Sequence, residues 1–334
     1  MYFPYFRGKQ FELLALREFS SRDSAVPAGS FQPIVEPVRE NLNTLQKTLL
    51  ELSKNGQRCH VVLNPRLGQL SGQALKLSDL APEDITEEDQ DLVKRFIVPA
   101  VLVTADHRAE QWLPIASRIE GDDITLIHDG TARLDEEVQV LSRFDKITHV
   151  FVGTGLDVYA LRCKQLRQEK NDDFVRVLDG FRSADRNSEY PEDDFFSENH
   201  LTYVYQDYQG FGDFLTIGDS YSETGGPARA VAIHLTYIDK KDLNRMRCRH
   251  FVSDTNDSPD DPGNKFLEAD KKLVTAVKQP RTSVELTPAV GEFKRLFHQQ
   301  HFPGLGYVKK LSMLHHLYTM EHFLGDNPCK ENSK

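Results

Sequence analysis

Acidic, basic and amide side chains recur directly after short apolar runs in this chain. That is where a parallel strand delivers its residues to a binding rim. Glu36 closes FQPIVE, Asn64 closes CHVVLN, and His128 with Asp129 closes ITLIHD. Asp179 closes FVRVLD and Asp219 closes FLTIGD; Thr104 ends IVPAVLVT, and Gly153 and Gly155 end THVFVGTG. Arg7 and Lys9 follow the opening YFPYF, and His234 lies within AVAIHLTY. Carboxylates converging on one rim could hold a divalent metal through oxygen or work as acid and base. On that expectation Glu36, Asp129, Asp179 and Asp219 are the catalytic candidates. Arg7, Lys9, Asn64, His128, Gly153, Gly155 and His234 are the ligand-binding candidates, the two glycines through backbone N–H groups turned to an anion.

Each candidate also has a plainer reading. Asp129-Gly130 and Asp179-Gly180 could be turn chemistry alone. Asn64 precedes Pro65 and could simply set a turn. Glu36, between two prolines, needs a partner if buried, and Arg7 or Lys9 is the obvious one; their ion pair could be structural or catalytic. His234 is read first as a satisfied core histidine. His315, His316 and His322 fall on a helical pattern without HExxH spacing, which points to packing or surface roles. GTGLD lacks GxGxxG spacing, and Ser220 and Ser222 lack a nucleophile elbow.

The elements that would position these residues alternate. Apolar runs at Tyr2–Phe6, Phe31–Val38, His60–Leu63, Ile97–Val103, Ile124–Ile127, Val150–Val152 and Phe174–Leu178 read as strands. Most are separated by amphipathic stretches of helical length, including helices around His107–Ile119 and Ala132–Phe144 and a turn at Asp23–Gly29. Parallel neighbours need such crossovers, so the expected fold is α/β, a (β/α)8 TIM-barrel-like architecture. Its last strands are irregular. Phe214–Ile217 and Ala230–Leu235 compete for the eighth place, and the span between them, with Gly225-Gly226-Pro227, is too short for a helical crossover. They are therefore antiparallel, or one lies outside the main sheet. The aromatic segment Tyr203–Asp219 reads as an ordered loop or lid over the mouth. Beyond the acidic loop Asp254–Gly263, three helices at Lys265–Val277, Pro288–Gln300 and Leu305–Leu324 form a C-terminal extension, with a frayed tail over Gly325–Lys334. The expected division is 1–253 for the barrel and 254–334 for the loop and helices packed on it.

Composition narrows the function classes. The 334 residues carry a formal net charge of -10, which argues against broad nucleic-acid binding. Mean hydropathy is -0.50, and no apolar run approaches the ~20 residues needed to cross a bilayer. The early charges at Arg7, Lys9 and Glu12 do not suit a signal peptide. Cys59, Cys163, Cys248 and Cys329 never form a CxxC pair, which excludes a zinc ribbon and favours reduced thiols in a cytoplasmic protein.

The opening YFPYFRGKQFELLAL followed by FQPIVEPV resembles the signature of the beta protein family of bacteria and temperate phages. The residues that carry the resemblance are Tyr2, Pro4, Lys9, Glu12, Ala15, Leu16, Pro33, Ile34, Val35 and Glu36. GFGDFLTIGD and AVAIHLTY resemble segments of a bacterial branch. The resemblance implies a barrel-like α/β fold and an association with phage competition or anti-phage defence, and it implies no reaction.

Two functional expectations follow. The first is a cytosolic component of a phage-defence or toxin–antitoxin-like module that binds a protein partner encoded nearby, or a small anionic ligand, at the barrel mouth. The second is a metal-dependent hydrolase of phosphoester type, with a divalent metal at the carboxylates.

Overall fold

Strand β1 (Tyr5–Phe6) opens a parallel sheet that continues through β2 (Ile34–Val35), β3 (Cys59–Val62), β4 (Ile97–Thr104), β5 (Asp123–Asp129), β6 (Lys146–Val152) and β7 (Asp173–Val177). Then come β8 (Asp193–Ser197), β9 (Gly210–Gly212), β10 (Ala232–Asp239) and β11 (Arg245–Val252). The computed structural model describes residues 1–22, 29–104, 109–131, 138–223, 229–279 and 282–326. The expected Asp23–Gly29 turn, the starts of the helices near His107 and Ala132, Gly225-Gly226-Pro227, Cys329 and the tail fall wholly or partly outside those residues.

The chain forms two compact units, one of Met1–Leu13, Ser20–Leu178 and Thr202–Asp213, the other of Leu14–Phe19, Asp179–Leu201 and Phe214–Lys334. In the first unit the sheet order is β1-β2-β3-β4-β5-β6-β7-β9, every pair parallel. Tyr2 makes parallel bridges to both Phe31 and Phe211, which brings the last strand back to the first. The Phe3 N–H donates to the Phe211 carbonyl at 2.8 Å and the Tyr5 N–H to the Asp213 carbonyl at 2.9 Å, so the sheet is a nearly closed eight-stranded barrel. Helices α1 (Gln10–Ser20), α2 (Asn43–Lys54), α3 (Glu87–Phe96), α4 (Ala109–Ser117), α5 (Val138–Leu141) and α6 (Asp157–Leu166) alternate with the strands. The fold is the expected TIM-barrel-like α/β architecture.

Local chemistry explains the elements. Thr86 caps α3 by accepting the Asp89 N–H, with three acids in the first turn and Lys94 and Arg95 in the last, matching the helix dipole. Strand β4 is buried at every position, as a parallel strand covered on both faces requires. Inside the barrel, His60 of β3 meets Thr125 of β5 at 2.6 Å and Gln32 at 3.0 Å, and its ring lies 5.5 Å from that of Phe3. Side chains from so many strands meet only in a barrel interior. Burial lowers the His60 pKa to about 3, with Arg58 and Lys146 adding to the effect, so it packs as a neutral ring.

The eighth barrel strand is neither of the two segments expected from sequence. It is β9, the GFG of Gly210–Gly212, inside the stretch read as a lid. Phe214–Ile217 is a turn in which Leu215 takes φ 52°, and Ala230–Leu235 mostly enters β10, outside the barrel.

The second unit contains an antiparallel sheet of order β10-β11-β8, with His234 opposite His250. It also holds α8 (Pro262–Val277), α9 (Pro288–His298) and α10 (Leu305–Asp326); the short helix α7 (Asn199–Thr202) follows β8. Contacts therefore group the three helices with the antiparallel sheet, a different division from one at residue 253. In α10, His315 bonds Thr287 and the Thr236 carbonyl, and His316 bonds the Thr236 hydroxyl, all within 2.9 Å. These histidines serve packing.

Helix α8 buries Lys265, Phe266, Ala269, Asp270, Leu273, Val274 and Val277, and the Lys265 ammonium donates to the Ser258 carbonyl. Asp270 is the odd member: it is fully buried and neither carboxyl oxygen has a hydrogen-bond partner. Burial raises its pKa to about 8. Because the folded pKa exceeds the unfolded one, ionisation opposes folding. The cost is absent below about pH 4 and grows until about pH 8, reaching at most about 4 kcal/mol at pH 7. Asp270→Asn should therefore stabilise the protein at pH 7 and give no advantage at pH 4 in urea titrations. A constant difference across that range would refute the assignment.

Candidate ligand site at the barrel mouth

The carboxyl ends of β1, β2, β3 and β5 bring together Arg7, Glu36, Asn64 and Asp129. Glu36 has no exposed surface, and its charge is matched on every side. The Arg7 guanidinium pairs with Oε2, and the Tyr5 hydroxyl donates to the same oxygen at 3.1 Å. The Arg66 N–H donates to Oε1 at 3.0 Å. Arg7 also lies over the Tyr5 ring, 4.9 Å from its centroid. Of the two cations that the sequence offered to Glu36, the structure uses Arg7. Lys9 instead contributes a charge and an N–H that favour ionised Glu12.

Glycine makes this approach feasible. Gly8 adopts φ +65°, and a Cβ there would lie 3.2 Å from the Glu36 carbonyl oxygen. Glu12, the third residue of α1, folds back to accept the Arg7 N–H at 2.6 Å. Burial raises the Glu12 pKa to about 7, against the opposing pull of Lys9 and the Arg7 and Lys9 N–H groups. At the closing strand, the Tyr2 hydroxyl donates to Asp213 at 2.9 Å. Burial, then the carboxylate beside each, pushes the Tyr2 and Tyr5 hydroxyls well above the ordinary tyrosine value. They serve as donors here.

Arg66 joins two of the candidates. Its backbone is held by Glu36, while its guanidinium pairs with Asp129. Both side chains of that pair keep about a third of their surface exposed, 34% for Arg66 and 29% for Asp129. Asn64 is spent on structure: its amide donates to the Leu102 carbonyl at 3.0 Å and accepts the Leu102 N–H at 2.7 Å, which extends the β3–β4 pairing by one rung. Thr104 is buried beside Asp129 in register. Gly153 and Gly155 have φ of 90° and 79° with open space at the Cβ position, so backbone conformation is what calls for glycine there.

The remaining candidates make other contacts. His128 is completely buried against His149 and Tyr159 of α6, on the opposite face of β5 from Asp129. Asp179 and Asp219 belong to the second unit, where Asp179 accepts the N–H groups of Phe181 at 2.9 Å and Asp219 at 2.8 Å and so closes a turn. His234 is also in that unit. Its Nδ1 lies 2.7 Å from Nδ1 of His250, which contacts Asp194 at 3.2 Å and stacks on Tyr190. Burial, followed by the neighbouring His250, holds the His234 pKa well below the usual histidine value.

Comparison with protein-family models, with curated proteins and with solved structures finds no match. The site is therefore read from its own chemistry. Arg66, Glu12, Tyr5 and Asp213 were not among the candidates chosen from sequence. Arg66 follows Asn64-Pro65 at a strand end, which was the available signal. Glu12 is visible only once its helix folds back on the β1 loop. Among the described residues no helix is long and apolar enough to cross a membrane, and Cys59, Cys163 and Cys248 are buried and outside any disulfide.

Proposed function

We propose that the barrel mouth binds a small anionic ligand through Arg66, as the ligand-sensing component of a phage-defence or toxin–antitoxin-like module. The observation that carries this reading is the partly exposed Arg66–Asp129 pair, fixed at its base by Glu36. An anion would take the place of the Asp129 carboxylate on the guanidinium fork, a planar donor suited to phosphate or carboxylate. Glu12 and the buried Arg7–Glu36 pair hold the loop that frames it. The biological setting rests on the resemblance to the beta family, and it includes a protein partner encoded nearby.

The hydrolase reading has less support. Glu36 and Asp129 already face arginines, and a divalent cation there would have to displace both.

The test is calorimetric titration of the full chain with inorganic phosphate and with a dicarboxylate. Binding should be lost in Arg66→Met. It should strengthen several-fold in Asp129→Asn, because a competing carboxylate is removed, an exposed pair being worth about 0.2–1 kcal/mol. Unchanged binding in both variants would refute the assignment. Altered phage plating on deletion, or co-purification with a neighbouring gene product, would test the setting separately.

A further inference from the structure

A second cluster sits on the outer face of the barrel wall, away from the mouth. His128 of β5, His149 of β6 and Cys163 of α6 are all buried, and one ligand atom from each lies within 4.8 Å of the others. We propose that these three side chains bind a transition-metal ion of Zn2+ or Cu+ character, pinning α6 to the barrel wall.

The protons support this reading. His128 Nε2 and His149 Nδ1 face each other at 2.9 Å, with the rings nearly parallel. Without a metal, one proton must lie between them, and the His149 Nε2 is then left without a hydrogen-bond partner. With a metal in place of that proton, both imidazoles carry their N–H on the far nitrogen. His128 Nδ1 then points at the Tyr159 oxygen, 3.2 Å away, and His149 Nε2 at Asp172, 3.9 Å away. Asp172 is itself oriented by Arg167 through contacts of 2.7 and 3.1 Å. His128 thereby has the oxygen partner that the other N–H of a metal-bound histidine characteristically takes, while Asp172 lies just beyond hydrogen-bond reach of His149 Nε2. Two imidazoles and a thiolate suit borderline and soft ions over Mg2+ or Ca2+; the thiol proton leaves to solvent on binding. Phe151 and Phe174 stack alongside the two histidines and keep water out.

The experiment is elemental analysis of the full chain after growth with added zinc or copper, followed by Co2+ replacement and thermal melts with and without chelator. The expected results are one equivalent of zinc or copper, a thiolate-to-Co2+ charge-transfer band, and a melting point that falls on chelation. The analysis distinguishes Zn2+ from Cu+, and either supports the site. Cys163→Ser should lose the band and the chelator response. Since that variant could fold poorly, the spectrum of the unaltered protein decides independently. A wild-type chain that takes up neither metal, a Co2+ complex without thiolate character, or metal retained in Cys163→Ser would overturn the proposal.

Discussion

Replacing Gly212 by alanine should destabilise the protein by about 3 kcal/mol or more, the upper range for overpacking a rigid contact. The added Cβ would fall well inside van der Waals contact with the Phe3 carbonyl oxygen, and 3.0 Å from a Val177 methyl. The first obstacle is backbone, so no side-chain rotation relieves it. Relief requires β9 to move off β1, at the expense of the Phe3-to-Phe211 and Tyr5-to-Asp213 hydrogen bonds that close the barrel. Gly210→Ala is the informative comparison. Its Cβ would meet the Phe3 ring at 2.6 Å, and a ring can shift where a carbonyl cannot. Urea unfolding should rank wild type above Gly210→Ala and Gly210→Ala above Gly212→Ala. Equal stability of all three would mean that β9 does not close the barrel.

The same strand shows where sequence reading ran out. Strands β3 to β7 announce themselves as apolar runs because parallel strands are covered on both faces. Strand β9 has three residues, two of them glycine, so it has almost no side-chain pattern to read; its place is set by what glycine lacks. Strand β11 lacks the continuous apolar run of the barrel strands; Arg245, Arg247 and Arg249 alternate with Met246, Cys248 and His250, the pattern of a sheet with one solvated face. At the site, Glu36 was legible because a carboxylate between prolines after an apolar run demands a counter-charge. His128 and Asp129 could not both face the mouth, since adjacent strand residues point to opposite sides. The sequence offers no means of choosing between them. The structure puts Asp129 on Arg66 and His128 under α6.

Glu36→Ala should cost about 3–5 kcal/mol, the range for removing one member of a buried ion pair. The loss exceeds that of a surface pair because the buried Arg7 guanidinium, the Tyr5 hydroxyl and the Arg66 N–H would all lose the Glu36 carboxylate at once. Arg7→Met should cost less than Glu36→Ala, since the remaining carboxylate keeps two donors, the Tyr5 hydroxyl and the Arg66 N–H. The double variant Arg7→Met with Glu36→Leu removes both charges and fills the space with apolar atoms, so its loss should be smaller than the sum of the losses of Arg7→Met and Glu36→Leu made singly. If the pair also holds the base of Arg66, Glu36→Ala should weaken phosphate binding even at temperatures where the variant stays folded, and the double variant should not recover that binding. Strict additivity of the two single losses in urea titrations would show that Arg7 and Glu36 act independently, which the shared hydrogen-bond geometry forbids.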